Sequence, residues 1–144
     1  MRKPVRDRPL AKADFEQLAQ FRYELRRFLR FSEELTRQRG ITTLQYQLLL
    51  QLKGFPGREW AAVGELAERL QAHHHGVVAL ISRCEAMRLV RRRVSAADRR
   101  RVEIHLTAKG LRCVTALATR HRNELLSLQA ALRLGAFPLA AQKE

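Results

Sequence analysis

Acidic residues are scarce in this chain: 14 Asp and Glu stand against 28 Lys and Arg, a formal net charge of +14. That imbalance repels basic substrates and attracts polyanions, nucleic acid before an anionic membrane. Cysteine is scarcer still. Cys84 and Cys113 make no CxxC pair, which argues against a disulfide framework or a zinc ribbon and for a reducing compartment, the cytoplasm by default. No apolar run approaches the ~18 residues of a spanning helix, and no apolar stretch follows the basic N-terminus, so neither membrane insertion nor export is expected. There is no GxSxG elbow, no P-loop, no GxGxxG after a strand and no HExxH. Neither an enzyme nor a cofactor is expected.

What is present suits one folded domain with extensions. The chain has 144 residues, 46% of them hydrophobic and 29% charged, and a chain of that length buries roughly two-thirds of its unfolded surface. Residues 1–13, with Pro4, Pro9 and five basic residues against one acid, read as a flexible basic arm. From Asp14 the apolar residues Leu18, Phe21, Leu25, Phe28, Leu29 and Leu35 recur at helical steps, and Gly40 supplies a stop. A helix of about 25 residues usually leans on a partner chain. Thr42 and Gln45 form a capping-box pattern opening a second helix, whose body from Tyr46 to Leu52 is apolar on most sides. After Lys53 to Gly57 and a short Trp60 to Ala62 stretch, Val63, Leu66, Ala67 and Leu70 give one helical stripe. Val77, Leu80, Ile81, Cys84 and Met87 give the next, a few residues on. Two short amphipathic helices joined by a tight turn make a helix-turn-helix.

The period then changes from 3.6 to 2. Val90, Arg92 and Val94 alternate with arginines, Ser95 to Asp98 turn the chain, and Val102, Ile104 and Leu106 alternate with Glu103 and His105: a β-hairpin with a charged tip. Thr107 is a candidate N-cap for a last helix carrying Leu111, Val114, Ala118, His121, Leu125, Leu128 and Leu132 at 3-4 spacing. The expected fold is mainly α with a small β-hairpin wing, bracketed by long terminal helices. Residues 14–40 and 108–134 form the bracket, 41–107 the winged helix-turn-helix, and 135–144 a C-terminal tail.

Between Arg83 and Arg101 lie eight arginines and two acids in 19 residues. Charge runs are usually solvated faces. Here, however, every basic residue is Arg, which combines bidentate phosphate contact with groove readout, and the run follows a helix-turn-helix. Asp98 stands beside Arg99 to Arg101, where a carboxylate can hold a guanidinium in a fixed pose. Together with the charge excess, this points to nucleic-acid contact.

The chain resembles the MarR-type winged-helix transcription regulators. The carrying residues are Val63 to Leu70, then Val77, Leu80 and Arg83 to Ala86, then Leu89 to Arg92. The most specific stretch runs from Asp98 through the alternating aliphatics to Leu106, Thr107 and Gly110. The resemblance spans about residues 14–130. It implies a homodimer in which the first and last helices interleave, with Phe21, Leu25, Phe28, Val114, His121, Leu125 and Leu128 as dimerisation residues. It implies that the helix from about His74 to Met87 enters the major groove of double-stranded DNA. The wing, carrying Arg92, Asp98, Arg99, Arg100 and Arg101, would lie along the minor groove, with Arg100 inserted and Asp98 orienting it. It further implies a regulator, most often a repressor, on a pseudo-palindromic operator, released in some members by a small aromatic effector.

The recognition helix departs from the family pattern. Family members commonly carry a Ser or Thr at its start, then a Thr and an Arg. This chain has His73, Val78 and Ala79. Val78 can meet a thymine methyl but cannot hydrogen-bond, so direct readout falls on His73, His74, His75, Ser82 and Arg83. The usual Gly after the helix is Arg88, so a left-handed conformation there costs more.

Three consecutive helical residues point about 100° apart, so His73 to His75 cannot converge on one ion and no metal is expected. As DNA contacts they imply binding that tightens below about pH 6.5. Cys84 and Cys113 occupy apolar helical positions and read as buried structural thiols rather than a redox switch. His121 reads as a packed or interface histidine, and Trp60, Phe15, Phe21, Phe28 and Phe31 as core and dimer contacts. Two other functions fit the same fold: a sequence-tolerant architectural DNA binder and a winged-helix protein-interaction module.

Overall fold

A computed structural model describes residues 9–131. The basic arm over 1–8, Leu132 and the rest of the helix to 134, and the 135–144 tail lie outside the described residues. The elements are α1 (Lys12–Gln38), α2 (Thr43–Lys53), β1 (Trp60–Ala61), α3 (Val63–Leu70), α4 (His74–Ala86), β2 (Val90–Val94), β3 (Val102–Leu106) and α5 (Ala108–Ala131). The arm stops short of residue 13. Helix α1 begins at Lys12 because the Asp14 carboxylate accepts the Ala11 N–H at 2.7 Å within the first turn.

The helix ends follow local chemistry. The Thr42 hydroxyl accepts the Gln45 N–H at 3.1 Å and the Gln45 side chain accepts the Thr42 N–H at 2.9 Å, the expected capping box. Helix α1 ends in a Schellman motif: Ile41 N–H bonds Thr36 O, Gly40 N–H bonds Arg37 O, and Gly40 sits at φ +73. The same paired bonds close α3 at Gln71 (φ 49) and α4 at Arg88 (φ 60). Neither position has the glycine that favours left-handed backbone, a cost of roughly 1–2 kcal/mol each. The Arg88 strain anticipated from the sequence is therefore real, whereas the Gln71 turn has no glycine to announce it.

Residues 32–121 form one compact unit. At its centre Leu48, Leu49 and Leu52 of α2 are fully buried, and α2 packs on α3, α4 and β3. Leu66, Val77, Ile81, Leu89, Val90, Ile104, Val114 and Leu117 complete the core. The sheet order is β1-β3-β2, all antiparallel, with Val90 opposite Leu106 and Val94 opposite Val102 across the wing. Strand β1 is an addition to the expected hairpin: two residues, Trp60 and Ala61, pair with His105 and Ile104. A two-residue strand has no alternation to detect.

This unit reaches past the expected limits of 41 and 107, because the end of α1 and the start of α5 bury Leu35, Thr36, Val114, Leu117 and His121 in it. Val114 and His121, expected among the dimerisation residues, are packed within the single chain (1% and 7% exposed). The His121 ring stacks on Tyr46 with centroids 4.6 Å apart. Its Nδ1 meets the Leu117 carbonyl at 2.7 Å and its Nε2 the Ser32 Oγ at 2.8 Å. A carbonyl only accepts, so Nδ1 donates to Leu117, and with Nδ1 as the protonated nitrogen Nε2 accepts the hydrogen bond of the Ser32 hydroxyl.

Among the described residues, the second unit comprises 9–31 and 122–131. Its helical segments leave large apolar side chains in solvent: Phe15, Leu18, Tyr23, Leu29, Leu125 and Leu126 are each 44–57% exposed. Phe21, Leu25, Phe28 and Leu128 are half-buried. No helix among the described residues is long and apolar enough to cross a membrane.

Candidate nucleic-acid interface

Helix α4 divides cleanly into two faces. Val77, Leu80, Ile81 and Cys84 are buried, which fixes the helix against the core. His74, His75, Val78, Ala79, Ser82 and Arg83, with His73 at the N-cap, are all exposed. The seven residues expected in the recognition helix therefore share its outer face. The His73 and His75 rings stack on each other, 5.8 Å apart and 8° from parallel. Among the described residues, no group of three or more His, Cys, Asp or Glu is placed to hold a metal ion.

The wing tip is built from backbone hydrogen bonds. Ser95 N–H bonds Arg101 O and Arg101 N–H bonds Asp98 O, both at 2.9 Å. The buried Ser95 hydroxyl accepts from the Ala97 and Asp98 amides at 3.3 and 3.2 Å. Asp98 Oδ1 then accepts the Arg100 N–H at 3.0 Å and lies 3.6 Å from Arg100 Nε. The Arg100 side chain is 95% exposed. Asp98 thus aims Arg100 outward without covering it, and Arg99 is exposed beside it.

Two of the expected wing residues also have partners within the protein. Arg92 donates to Glu85 Oε1 at 2.7 Å and to Ser82 Oγ at 3.0 Å, which ties β2 to the outer face of α4. Arg101 donates to Glu65 Oε1 at 2.8 Å and lies over the Trp60 ring at 5.2 Å. Trp60, expected in the core or the dimer contact, is accordingly a half-buried platform at the base of the wing. Arg58 stacks on its ring at 3.8 Å and pairs with Glu65. Sequence reasoning missed Arg58 and Glu65. The only local signal was Glu65 at the third position of α3, where it accepts the Ala62 N–H at 3.0 Å.

Both thiols are buried and free. Burial, with a smaller contribution from Cys113, pushes the Cys84 thiol up to about 11. Burial also raises Cys113, with Arg39 and Lys109 working against it. At pH 7.5 both should therefore react with an aromatic disulfide reagent on the order of a hundredfold more slowly in the native chain than in urea. Rapid labelling of the native protein would contradict this burial.

Residues 39–101 match the family model described as the MarR family. No curated protein matches the sequence. Solved structures share the fold over most of the chain. AbsC, a MarR family transcriptional regulator from Streptomyces coelicolor, is 23% identical with a TM-score of 0.72, covering 87% of this chain and 84% of its own. A mutant of MepR from S. aureus bound to an oligodeoxyribonucleotide is 25% identical with a TM-score of 0.63, covering 78% and 80%.

Proposed function

We infer that this MarR-type winged-helix chain, a DNA-binding transcription regulator, acts as a homodimeric repressor on a pseudo-palindromic operator in double-stranded DNA. One observation carries the reading: the exposed face of α4 and the wing are joined by Arg92, through Glu85 and Ser82, into one surface that ends in the exposed Arg100. That surface offers a helix for the major groove and an arginine for the neighbouring minor groove. The DNA-bound MepR structure supports the assignment. The apolar side chains left in solvent on α1 and α5 support the homodimer, since a soluble monomer rarely exposes so many on the same helices.

Selection from a randomised duplex library at about physiological salt tests the reading. An enriched inverted repeat with half-sites about ten base pairs apart is expected. Two chains carry twice the +14 of one. With ~8–12 phosphates neutralised, log K should fall against log salt with a slope of roughly −7 to −11. Tight, salt-labile binding to every duplex with no enriched sequence would favour an architectural protein, a reading that the apolar Val78 and Ala79 on the recognition face keep in contention. Absence of duplex binding would leave the fold without this function.

A further inference from the structure

We propose that Glu65, Trp60 and Arg101 form a clamp that positions the wing, so that Arg101 serves as an anchor within the protein and Glu65 is a specificity-determining residue that never touches DNA. The inference rests on the DNA-binding reading above. Glu65 belongs to α3, the first helix of the helix-turn-helix, and Arg101 follows the wing tip immediately before β3; 36 residues separate them. Each arm of the Glu65 carboxylate is engaged. Oε1 accepts the Ala62 N–H at 3.0 Å and Arg101 Nη2 at 2.8 Å, and Oε2 accepts from Arg58. Both guanidinium groups lie over the Trp60 ring, Arg58 at 3.8 Å and Arg101 at 5.2 Å. Opposite Trp60, on β3, lies His105, with ring centroids 6.2 Å apart, itself bonded to Glu103 at 3.0 Å.

The consequence for the wing follows from the backbone. Arg101 closes the tip at both its N–H, to Asp98 O, and its carbonyl, from Ser95 N–H. Holding the Arg101 side chain therefore holds the loop that carries Asp98, Arg99 and Arg100. A wing that reads groove shape depends on where its arginine is placed relative to the recognition helix, and the clamp sets that placement. Burial works to raise the Glu65 carboxyl, but the Ala62 amide, Arg101 and Arg58 outweigh it, and the group is held below the ordinary 4.5. The clamp is thus charged throughout the neutral range. Both partners of the Arg101–Glu65 pair remain partly exposed, at 43% and 30%, so the pair contributes little to global stability. Its effect is on aim.

The test uses the full chain and the variants Glu65→Gln, Arg101→Ala and the double variant. Gln at position 65 keeps the acceptor for Ala62 and so keeps the α3 cap. The probes are the duplex enriched by the wild type and a scrambled duplex of the same composition. Trp60 is the single tryptophan, so acrylamide quenching of its fluorescence reports whether the clamp has opened, without DNA. Quenching should rise in all three variants, while thermal midpoints stay within about 3 °C of the wild type. The ratio of affinities for the two duplexes should fall about tenfold in each variant, with the double no worse than either single. The salt slope of Arg101→Ala should equal that of the wild type.

A slope flattened by about two per dimer in Arg101→Ala, but not in Glu65→Gln, would overturn the proposal by making Arg101 a phosphate ligand. An unchanged affinity ratio in variants whose Trp60 has opened would overturn it as well. Failure of the wild type to enrich any sequence would overturn the regulator reading itself, and that outcome is seen before any variant is compared.

Discussion

Replacing Gly110 with alanine should destabilise the fold by about 3 kcal/mol and lower the thermal midpoint by about 10 °C. Helix propensity alone predicts the opposite, since Ala is about 1 kcal/mol better than Gly within a helix. The close approach decides the sign. A Cβ at Gly110 would lie 2.0 Å from the Leu89 carbonyl oxygen, 2.9 Å from its carbon and 3.3 Å from Leu106 Cδ2. The first two are backbone atoms and cannot rotate aside. The same Leu89 oxygen accepts the Thr107 N–H at 3.1 Å. The Thr107 hydroxyl accepts the Gly110 N–H at 3.0 Å and donates to Arg88 O at 2.5 Å. Any shift that admits the methyl therefore disturbs the cap of α5 and its junction with the α4–β2 turn together. Gly64→Ala is the control: nothing lies within 4 Å of a Cβ there, and stability should be unchanged or rise by about 0.5 kcal/mol. Circular-dichroism melts of the two variants settle the matter. Equal midpoints would mean that α5 does not press on Leu89.

The second large effect is expected at Arg100. Arg100→Ala should weaken binding to the selected duplex by on the order of a hundredfold, because the proposed dimer would lose two wing contacts, each worth about 1–2 kcal/mol. The loss should be greatest where A·T-rich sequence flanks the half-sites, since a narrow minor groove has the strongest negative potential and an inserted guanidinium reads that potential. The salt slope should flatten by about two if each guanidinium displaces one counterion. Arg100 is suited to this role because Asp98 takes its backbone N–H and steadies its Nε while its side chain stays 95% in solvent. Anisotropy titrations at about 0.15 M salt measure the change, and an unaltered affinity would end the assignment of residues 98–100 as a DNA-reading tip. Arg100 and Arg101, adjacent and chemically identical, are thus expected to differ in kind. The first should change the salt slope, the second only the discrimination between duplexes.

The order of the helices, the helix-turn-helix, the hairpin and the outward residues of α4 were legible in the sequence; the two-residue β1 was not. Their signals are short-ranged. The Thr42–Gln45 box spans three residues, the Val77 to Cys84 stripe two turns, and the β2–β3 alternation one hairpin. The partners of individual wing arginines were not legible. Arg92 and Arg101 look the same as Arg99 and Arg100 in a run of like charges, and only the positions of Glu85, Ser82 and Glu65 distinguish them. Periodicity likewise placed Val114 and His121 on the same stripe as Leu125 and Leu128. A helix keeps its 3.6 period whatever surrounds it, so the stripe records that a residue is apolar, not whether or against what it packs.

The sequence by itself determined the local structure and the charge of this protein. Caps, stops and apolar periods act through bonds and contacts three or four residues apart, and net charge is a property of composition. Tertiary structure alone decided which arginine pairs with Glu65 and which points into solvent, that Trp60 joins a third strand and carries two guanidinium groups on its ring, that His121 closes on Ser32 across 89 residues of chain, and that Gly110 must lack a side chain. Each of these depends on where distant segments come to lie. Burial of Leu48, Leu49 and Leu52 against α3, α4 and β3 sets that arrangement, and no run of neighbouring residues encodes it.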